Sequence, residues 1–247
     1  MSSYIQGVKE AIRKIVNNAN KKETELRIGF IGYRDPFGDS PSDTQVSPQE
    51  ERTEFDILPP TESIQEFLDF MGEVSATGGG DGPEDVFGGL EKAVGGQWDP
   101  VAAKRILFHI ADSPAHGTKY GGSGHHNGGD PQKRNIREML GDLKEADVQY
   151  IFGYVNKERT GEMIRQFSDI WGSEIPQFSV GETRRPFRPM PMGLGGPEGF
   201  PIMARRGMRG RPAPSAPAGM GGSFLEAEES VGDKIAAAID KSLFGDR

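Results

Sequence analysis

Cysteine is absent from this chain of 247 residues, and so is any long apolar run. Without cysteine the chain has neither disulfide bonds nor thiolate ligands for zinc, which fits a reducing compartment. No stretch approaches the roughly 20 apolar residues that a membrane helix needs. The first residues have a polar amphipathic pattern and not that of a secretory signal. We therefore expect a cytoplasmic protein with no membrane partner.

Positive charge is also scarce, except in one stretch. The chain has 29 Lys and Arg against 37 Asp and Glu, and its net charge of −8 argues against nucleic-acid binding by the whole domain. Arginines are nevertheless concentrated between Thr183 and Gly222, where Pro and Gly are frequent and apolar residues have no period. Within it, Arg209-Gly210-Arg211-Pro212 is similar to motifs that lie in narrow minor grooves, but a single copy is a weak signal. We expect residues 183–222 to be a disordered insertion, and we do not expect nucleic acid as a partner.

Strand and helix patterns alternate over residues 1–182. This alternation predicts an α/β domain with a mostly parallel sheet flanked by helices. A last helical pattern within residues 223–247 predicts a helix that packs back on this domain. The strand patterns are Leu26–Tyr33, Thr53–Leu58, Ile106–Ala111, Val148–Val155 and Phe178–Val180. The helical patterns are Ser2–Ala19, a helix capped by Thr61 and carrying Ile64 to Met71, Glu84–Val94, Pro131–Ala146, Thr160–Trp171 and Ser223–Phe244.

Carboxylates stand at two corners of this predicted sheet. Asp112 ends the apolar run Arg105–Ala111, which places an oxygen ligand at the carboxyl end of a buried strand. The glycine-rich loop from Thr77 ends in Asp81, Glu84 and Asp85, and it opens onto a helix. Open α/β sheets have their binding crevices at the carboxyl ends of their strands, and glycine allows the second corner to approach the first. The two corners therefore predict a divided metal site.

Four segments carry a more specific pattern: Met1–Ile5, Arg27–Asp35, Gly79–Glu84 and Leu107–Gly117. With these segments in order, the chain resembles the von Willebrand factor A-type domain. It looks closest to the branch found beside α-kinases and to the related domain of integrin β subunits. The resemblance covers most of residues 1–180 and the last helix. It implies a Rossmann-like, mostly parallel sheet and a non-catalytic protein-binding module.

The resemblance also implies a ligand set. Domains of this family hold a divalent cation in a metal-ion-dependent adhesion site, and a partner protein commonly supplies a final acidic residue. By position, Glu84 and Asp112 match two ligands of Mg²⁺ or Mn²⁺. Asp81 matches a residue that binds a neighbouring cation in integrin-like relatives, and Thr77 lies in a loop that supplies a threonine in other branches. For Asp85 we favour a role in stabilising the start of the helix.

The chain departs from the family pattern at its first residues. In the family, an Asp-x-Ser/Thr-x-Ser motif ends the first central strand and precedes the helix that corresponds to Met1–Ile5. By this register Ser2 and Ser3 fall after the motif, so we expect the first central strand and its motif upstream of Met1. With Glu84 and Asp112 as the direct ligand positions that remain, we expect metal binding by this chain to be weak or absent.

Two other functions are compatible with the sequence. The first is a metal-independent scaffold of the same fold. The second is a zinc-dependent hydrolase built on Asp112 and the histidines of the following loop, His116, His125 and His126, because His and Asp are zinc ligands. We favour solvated loop histidines over a zinc site, since a glycine-rich loop fixes no geometry by itself. We therefore do not expect an enzyme.

Overall fold

A computed structural model describes residues 2–35, 54–75, 82–122, 126–181 and 229–245, apart from the side chains of Ser2 and Ser3. All of these residues belong to one compact unit. The predicted disordered insertion, residues 183–222, lies outside the described residues. The helices are α1 (Ser2–Lys21), α2 (Ile64–Glu73), α3 (Val86–Val94), α4 (Ile136–Glu145), α5 (Lys157–Trp171) and α6 (Val231–Phe244). The strands are β1 (Ile28–Tyr33), β2 (Phe55–Thr61), β3 (Arg105–Ala111), β4 (Val148–Tyr154) and β5 (Gln177–Ser179).

The strands form two separate sheets. Strands β3, β4 and β5 pair in parallel in that order, and helices flank them, which confirms the prediction of an α/β, Rossmann-like fold. Strands β1 and β2 pair with each other in antiparallel orientation, with an irregularity between Ile28 and Phe30. The described strands are thus divided between a parallel and an antiparallel sheet, because β1 and β2 do not hydrogen-bond to β3.

The unpaired edges of β1 and β3 face each other. Near their carboxyl ends, the Tyr33 hydroxyl lies 2.7 Å from Nε2 of His109. Near their amino ends, Arg27 and Asp99 approach to 3.8 Å. The two strands therefore run in the same direction and meet through side chains. Although β4 is mostly buried, most of β3 is only half-buried, as expected for a strand whose second edge is unpaired.

Helices cover the two faces of the strands and divide the core into two clusters. On one face α1 packs on α6, and together they cover half-buried side chains of β1 and β3, including Phe30 and Phe108. On the other face α3, α4 and α5 enclose a cluster around Phe87, Tyr150 and Phe167. The amphipathic periodicity that predicted these helices is also what buries one side of each of them.

Helix boundaries are set by capping side chains, and these correct the sequence prediction at several points. Ser63, and not Thr61, caps α2 by accepting a hydrogen bond from the Glu66 amide, while Thr61 ends β2. Helix α4 begins at Ile136 and not at Pro131, because Asn135 is its N-cap. Helix α6 begins at Val231, where Ser230 and Asp233 form a capping box.

The glycines of α3 allow the helix to pack closely on a strand. A Cβ atom added to Gly89 would lie 2.6 Å from the Tyr33 ring on β1. Helix α3 can therefore approach β1 only because this position has no side chain. Among the described residues, no helix is both long and apolar enough to span a membrane.

Candidate metal centre

Glu84 lies at a corner that is tied to the end of β3. Its backbone N–H donates to the Pro114 carbonyl at 3.0 Å, and Glu84 and Ala115 form an isolated parallel bridge. The next residue, Asp85, is the N-cap of α3 and accepts a hydrogen bond from the Gly88 amide at 2.9 Å. This confirms the prediction that Asp85 stabilises the helix start. The loop after β3 and the start of α3 thus hold Glu84 in one place.

Asp112 and Asp35 mark the ends of two neighbouring strands. Asp112 directly follows β3 and is half-buried, whereas Asp35 follows β1 after one residue and is buried. The backbone N–H of Asp35 donates to the Glu84 carboxylate, so the end of β1 is in direct contact with the Glu84 corner. The structure therefore brings the ends of β1 and β3 and the start of α3 to one place.

His116 is bound to Asp35 and is not a solvated loop residue. Its Nε2 lies 2.9 Å from Oδ1 of Asp35, and the two side chains are 3% and 5% exposed. The His116 ring also meets the His126 ring edge-on, with centroids 4.9 Å apart. The expectation of solvated loop histidines is therefore wrong for His116, because packing in this loop supplies an order that its glycine content does not indicate.

The electrostatics of the corner favour a cation. Burial raises the pKa of Glu84 from 4.5 to about 8, and the charges of Asp35 and Asp112 add to this effect. The hydrogen bond from the Asp35 backbone and the proximity of His116 act in the opposite direction but do not cancel the rise. Ionised Glu84 would add a negative charge beside two other carboxylates. A divalent cation would stabilise this ionised form.

The carboxylate ligands at this corner fit a hard cation better than zinc, but they do not complete its coordination shell. Carboxylate oxygens suit Mg²⁺ and Mn²⁺. Within the described ranges, no group of three or more His, Asp or Glu side chains is arranged to hold a metal ion. Two of the candidate ligands, Thr77 and Asp81, lie outside those ranges, as does His125. Glu84 and Asp112 are thus the sequence-predicted ligands that the structure brings to the same end of the strands.

A cluster of three charged side chains lies next to the Glu84 corner. The Arg134 guanidinium contacts Asp85 through both terminal nitrogens and Asp130 through Nε and Nη2, with 2.6 Å between Nη2 and Oδ1 of Asp130. The three side chains are 8%, 2% and 5% exposed in the order Arg134, Asp85 and Asp130. Hydrogen bonds and charge from the two aspartates raise the pKa of Arg134 despite the opposing effect of burial.

Sequence reasoning missed Asp35, Arg134 and His109. The rule that identified Asp112, an aspartate just after a buried apolar run, also applies to Asp35 and could have found it. Arg134 has no comparable signal, because it is a basic residue in a polar loop whose partner Asp85 is distant in sequence. His109 lies within β3, where its Nδ1 is 2.7 Å from the Tyr150 hydroxyl.

The chain is an α/β domain with a carboxylate-lined corner at the strand ends, and one known protein resembles it in sequence. It is 35% identical over 170 residues to the α-protein kinase vwkA of Dictyostelium discoideum. The matched region is 68% of this chain and 25% of the relative, so the chain spans about a quarter of the relative's length. No protein-family model matches the chain.

Proposed function

We propose that this chain is a non-catalytic, protein-binding module of von Willebrand factor A type that engages its partner through a Mg²⁺- or Mn²⁺-dependent site. The observation that carries the proposal is the Glu84 carboxyl group, held beside Asp35 and Asp112 with a raised pKa. Its ionised form needs a counter-charge, and a divalent cation would supply one.

Glu84 and Asp112 would hold the cation directly or through water. Two carboxylates leave most positions of an octahedral shell to water, and a carboxylate from a partner protein can replace one of these waters. When bound, the metal would supply positive charge at an open position for that partner. The residues of the chain would fix where this position lies, since Glu84 is tied to the β3 loop and Asp112 to the end of β3.

The similarity to this kinase supports the proposal that the chain is one module of a longer protein. The relative carries the name of an α-protein kinase, and the matched region is 25% of its length. We infer that this chain corresponds to a binding part of such a protein and not to the part that transfers phosphate. The combination of a split α/β sheet and a carboxylate corner at the strand ends supports binding, with no catalytic group assigned.

Titration with Mn²⁺ at pH 8.5 tests the proposal, because the paramagnetic ion broadens nearby amide signals even when binding is weak. We expect broadening concentrated at Asp35, Glu84–Gly88 and Ala111–His116, and its loss in Glu84→Gln and Asp112→Asn. Glu145→Gln removes an exposed carboxylate from α4 and is the matched control, which should behave like the unaltered chain.

Other outcomes of this titration would favour the alternatives. Absence of localised broadening in the unaltered chain would favour a metal-independent scaffold. Binding of Zn²⁺ that is lost in His116→Asn, together with hydrolysis of a simple ester, would favour the zinc hydrolase.

A further inference from the structure

Arg134 links two segments that are far apart in the chain and both border the Glu84 corner. On one side it contacts Asp85, the residue that follows Glu84 and caps α3. On the other side its guanidinium binds the Asp130 carboxylate. The Arg134 backbone N–H also donates to Oδ2 of Asp130 at 2.7 Å. The segment from His126 to Asn135 is thereby fastened to the start of α3.

The same segment also reaches the other half of the site. At its beginning, the His126 ring packs against the His116 ring, and His116 binds Asp35. The Asn127 carbonyl accepts a hydrogen bond from the Thr118 amide at 3.1 Å. The segment therefore contacts the Asp35–His116 pair at one end and the Asp85–Glu84 corner at the other.

We propose that Arg134 is a positioning residue for the candidate cation site, which acts through Asp85 to hold the Glu84 corner in place. Asp85 cannot shift without losing both the guanidinium and its bond to the Gly88 amide. Glu84 is covalently attached to it and bound on its other side to Pro114. Residues behind a metal ligand that orient it commonly affect affinity by about 10–100-fold when they are changed.

Arginine is needed at this position because the geometry requires a planar, forked cation. Its two terminal nitrogens meet the two oxygens of Asp85 while Nε remains on Asp130. A lysine ammonium is a single point charge and cannot hold both carboxylates in this arrangement. Arg134→Lys therefore keeps the charge and removes the bridge, which makes it the sharpest variant. Arg134→Met would leave two buried carboxylates without a counter-charge and is less suitable, because it risks unfolding the chain.

The first measurement needs no metal. Amide hydrogen exchange in Arg134→Lys should accelerate about tenfold or more at Glu84 and Gly88, because local opening at the corner becomes easier. The Phe152 amide of β4, which donates to the Pro176 carbonyl at 2.9 Å, should change little. Arg165→Lys is the matched control, since Arg165 also bridges two carboxylates, Glu162 and Asp169, but is 58% exposed. Equal acceleration at Phe152, or none at Glu84, would overturn the inference.

The second measurement tests whether the effect passes through Asp85. Asp85→Asn keeps a capping side chain for α3 but removes the charge that Arg134 binds. Exchange at Glu84 in the double variant with Arg134→Lys should resemble that of either single variant, because the two changes break the same contact. Fully additive effects would show that Arg134 acts by another route and would contradict the proposal.

The third measurement joins the inference to the proposed function, on which it rests for the cation. Mn²⁺ should bind about tenfold or more weakly to Arg134→Lys than to the unaltered chain, and equally well to Arg165→Lys and the unaltered chain. If the unaltered chain binds no Mn²⁺, the proposed function fails, while the exchange data still decide whether Arg134 positions the corner. If Arg134→Lys loosens the corner but binds Mn²⁺ unchanged, the positioning role for the cation is refuted.

Discussion

Tyr33 and His109 join the two sheets of this protein through a hydrogen bond of 2.7 Å between the tyrosine hydroxyl and Nε2 of the histidine. On its other side, His109 meets the Tyr150 hydroxyl through Nδ1 at the same distance. A neutral imidazole donates from one nitrogen and accepts at the other, so one tyrosine donates to His109 and the other accepts from it. Burial lowers the pKa of His109 to about 4 and raises that of both tyrosines, with the Tyr150 charge contributing for Tyr33.

The first prediction concerns stability in mild acid. The pKa of His109 falls from 6.5 to about 4 on folding, so His109 binds a proton more readily in the unfolded chain than in the folded one. The folded state therefore loses stability as pH falls from 6.5 towards 4. Between pH 7.5 and pH 5 this loss should be about 2 kcal/mol. Urea unfolding of the unaltered chain and of His109→Phe at several pH values measures it as the difference between the two chains, because Glu84 changes the stability in the opposite direction over the same pH range. An unchanged pH dependence in that variant would mean that other groups cause it.

The second prediction concerns the approach of α3 to β1. Gly89→Ala should destabilise the chain by about 1–3 kcal/mol, because the added methyl group would overlap the Tyr33 ring. Gly141→Ala is the matched control, since Gly141 in α4 has open space around its Cβ position and should gain about 0.5–1 kcal/mol from the better helix propensity of alanine. Thermal unfolding of both variants compares them. A neutral effect at Gly89 would show that Tyr33 can move aside.

The third prediction concerns Glu84 without a cation. Its pKa of about 8 in the folded chain, against 4.5 as reference, means that folding favours the protonated form. This contribution to stability is present below pH 4.5 and is lost as pH rises through 8. At pH 9, Glu84→Gln should therefore be more stable than the unaltered chain by about 1–3 kcal/mol, allowing for partial solvent screening.

Mn²⁺ provides the cross-check for Glu84. At pH 9 the ion should stabilise the unaltered chain and leave Glu84→Gln unchanged, because only an ionised carboxylate gains from the cation. At pH 5 the two chains should differ little. Equal stabilisation of both chains by Mn²⁺ would place the cation elsewhere.

The fourth prediction concerns the facing edges of β1 and β3. Ala111 and Arg34 use their backbone groups for β4 and β2, so by alternation the backbone groups of Phe108 and Tyr33 point to the gap between the sheets. An extended apolar strand lying there parallel to both would complete one sheet. Where Tyr33 and His109 meet, this strand should carry a small residue, because that face is already filled.

The start of α1 indicates how such a strand could be connected. Gly7 of α1 lies against Val231 at the start of α6, and Lys234 of α6 donates to the carbonyl of Gly181, just beyond β5. Helix α1 therefore begins at the end of the molecule where the parallel strands finish. We expect an apolar strand followed by Asp-x-Ser/Thr-x-Ser, when joined to the start of α1, to fill this gap.

Expression of the extended chain tests this strand. Each large apolar side chain buried in the gap contributes about 1.5–3 kcal/mol, so a strand of several such residues should raise the stability by about 3 kcal/mol or more after backbone ordering. The extended chain should also bind Mn²⁺ more tightly than the present chain, and Asp112→Ala should abolish this gain. An extended chain that is no more stable than the present chain would contradict the prediction.

Much of the fold was predictable because its signals are local. The strand runs that became β3 and β4 and the apolar stripes of α1 and α5 depend on spacings of two to four residues, which can be read directly along the chain. The same holds for Glu84 and Asp112, since a carboxylate after an apolar run or a glycine-rich loop marks a corner wherever it occurs. The limits of α2 and α4 were predicted less well, because several polar residues could have served as their caps.

The sequence by itself determined the alternation of strands and helices and the two carboxylate corners of this protein. Only the tertiary structure decided which groups meet at those corners. Asp35 and His116 are 81 residues apart and Asp85 and Arg134 are 49 apart, so no local pattern indicates either pair. Their pairing results from burial, because a charged side chain removed from water must find a partner among whatever groups packing brings near it. The division of the sheet is likewise tertiary, since it depends on which edges of β1 and β3 find a neighbour.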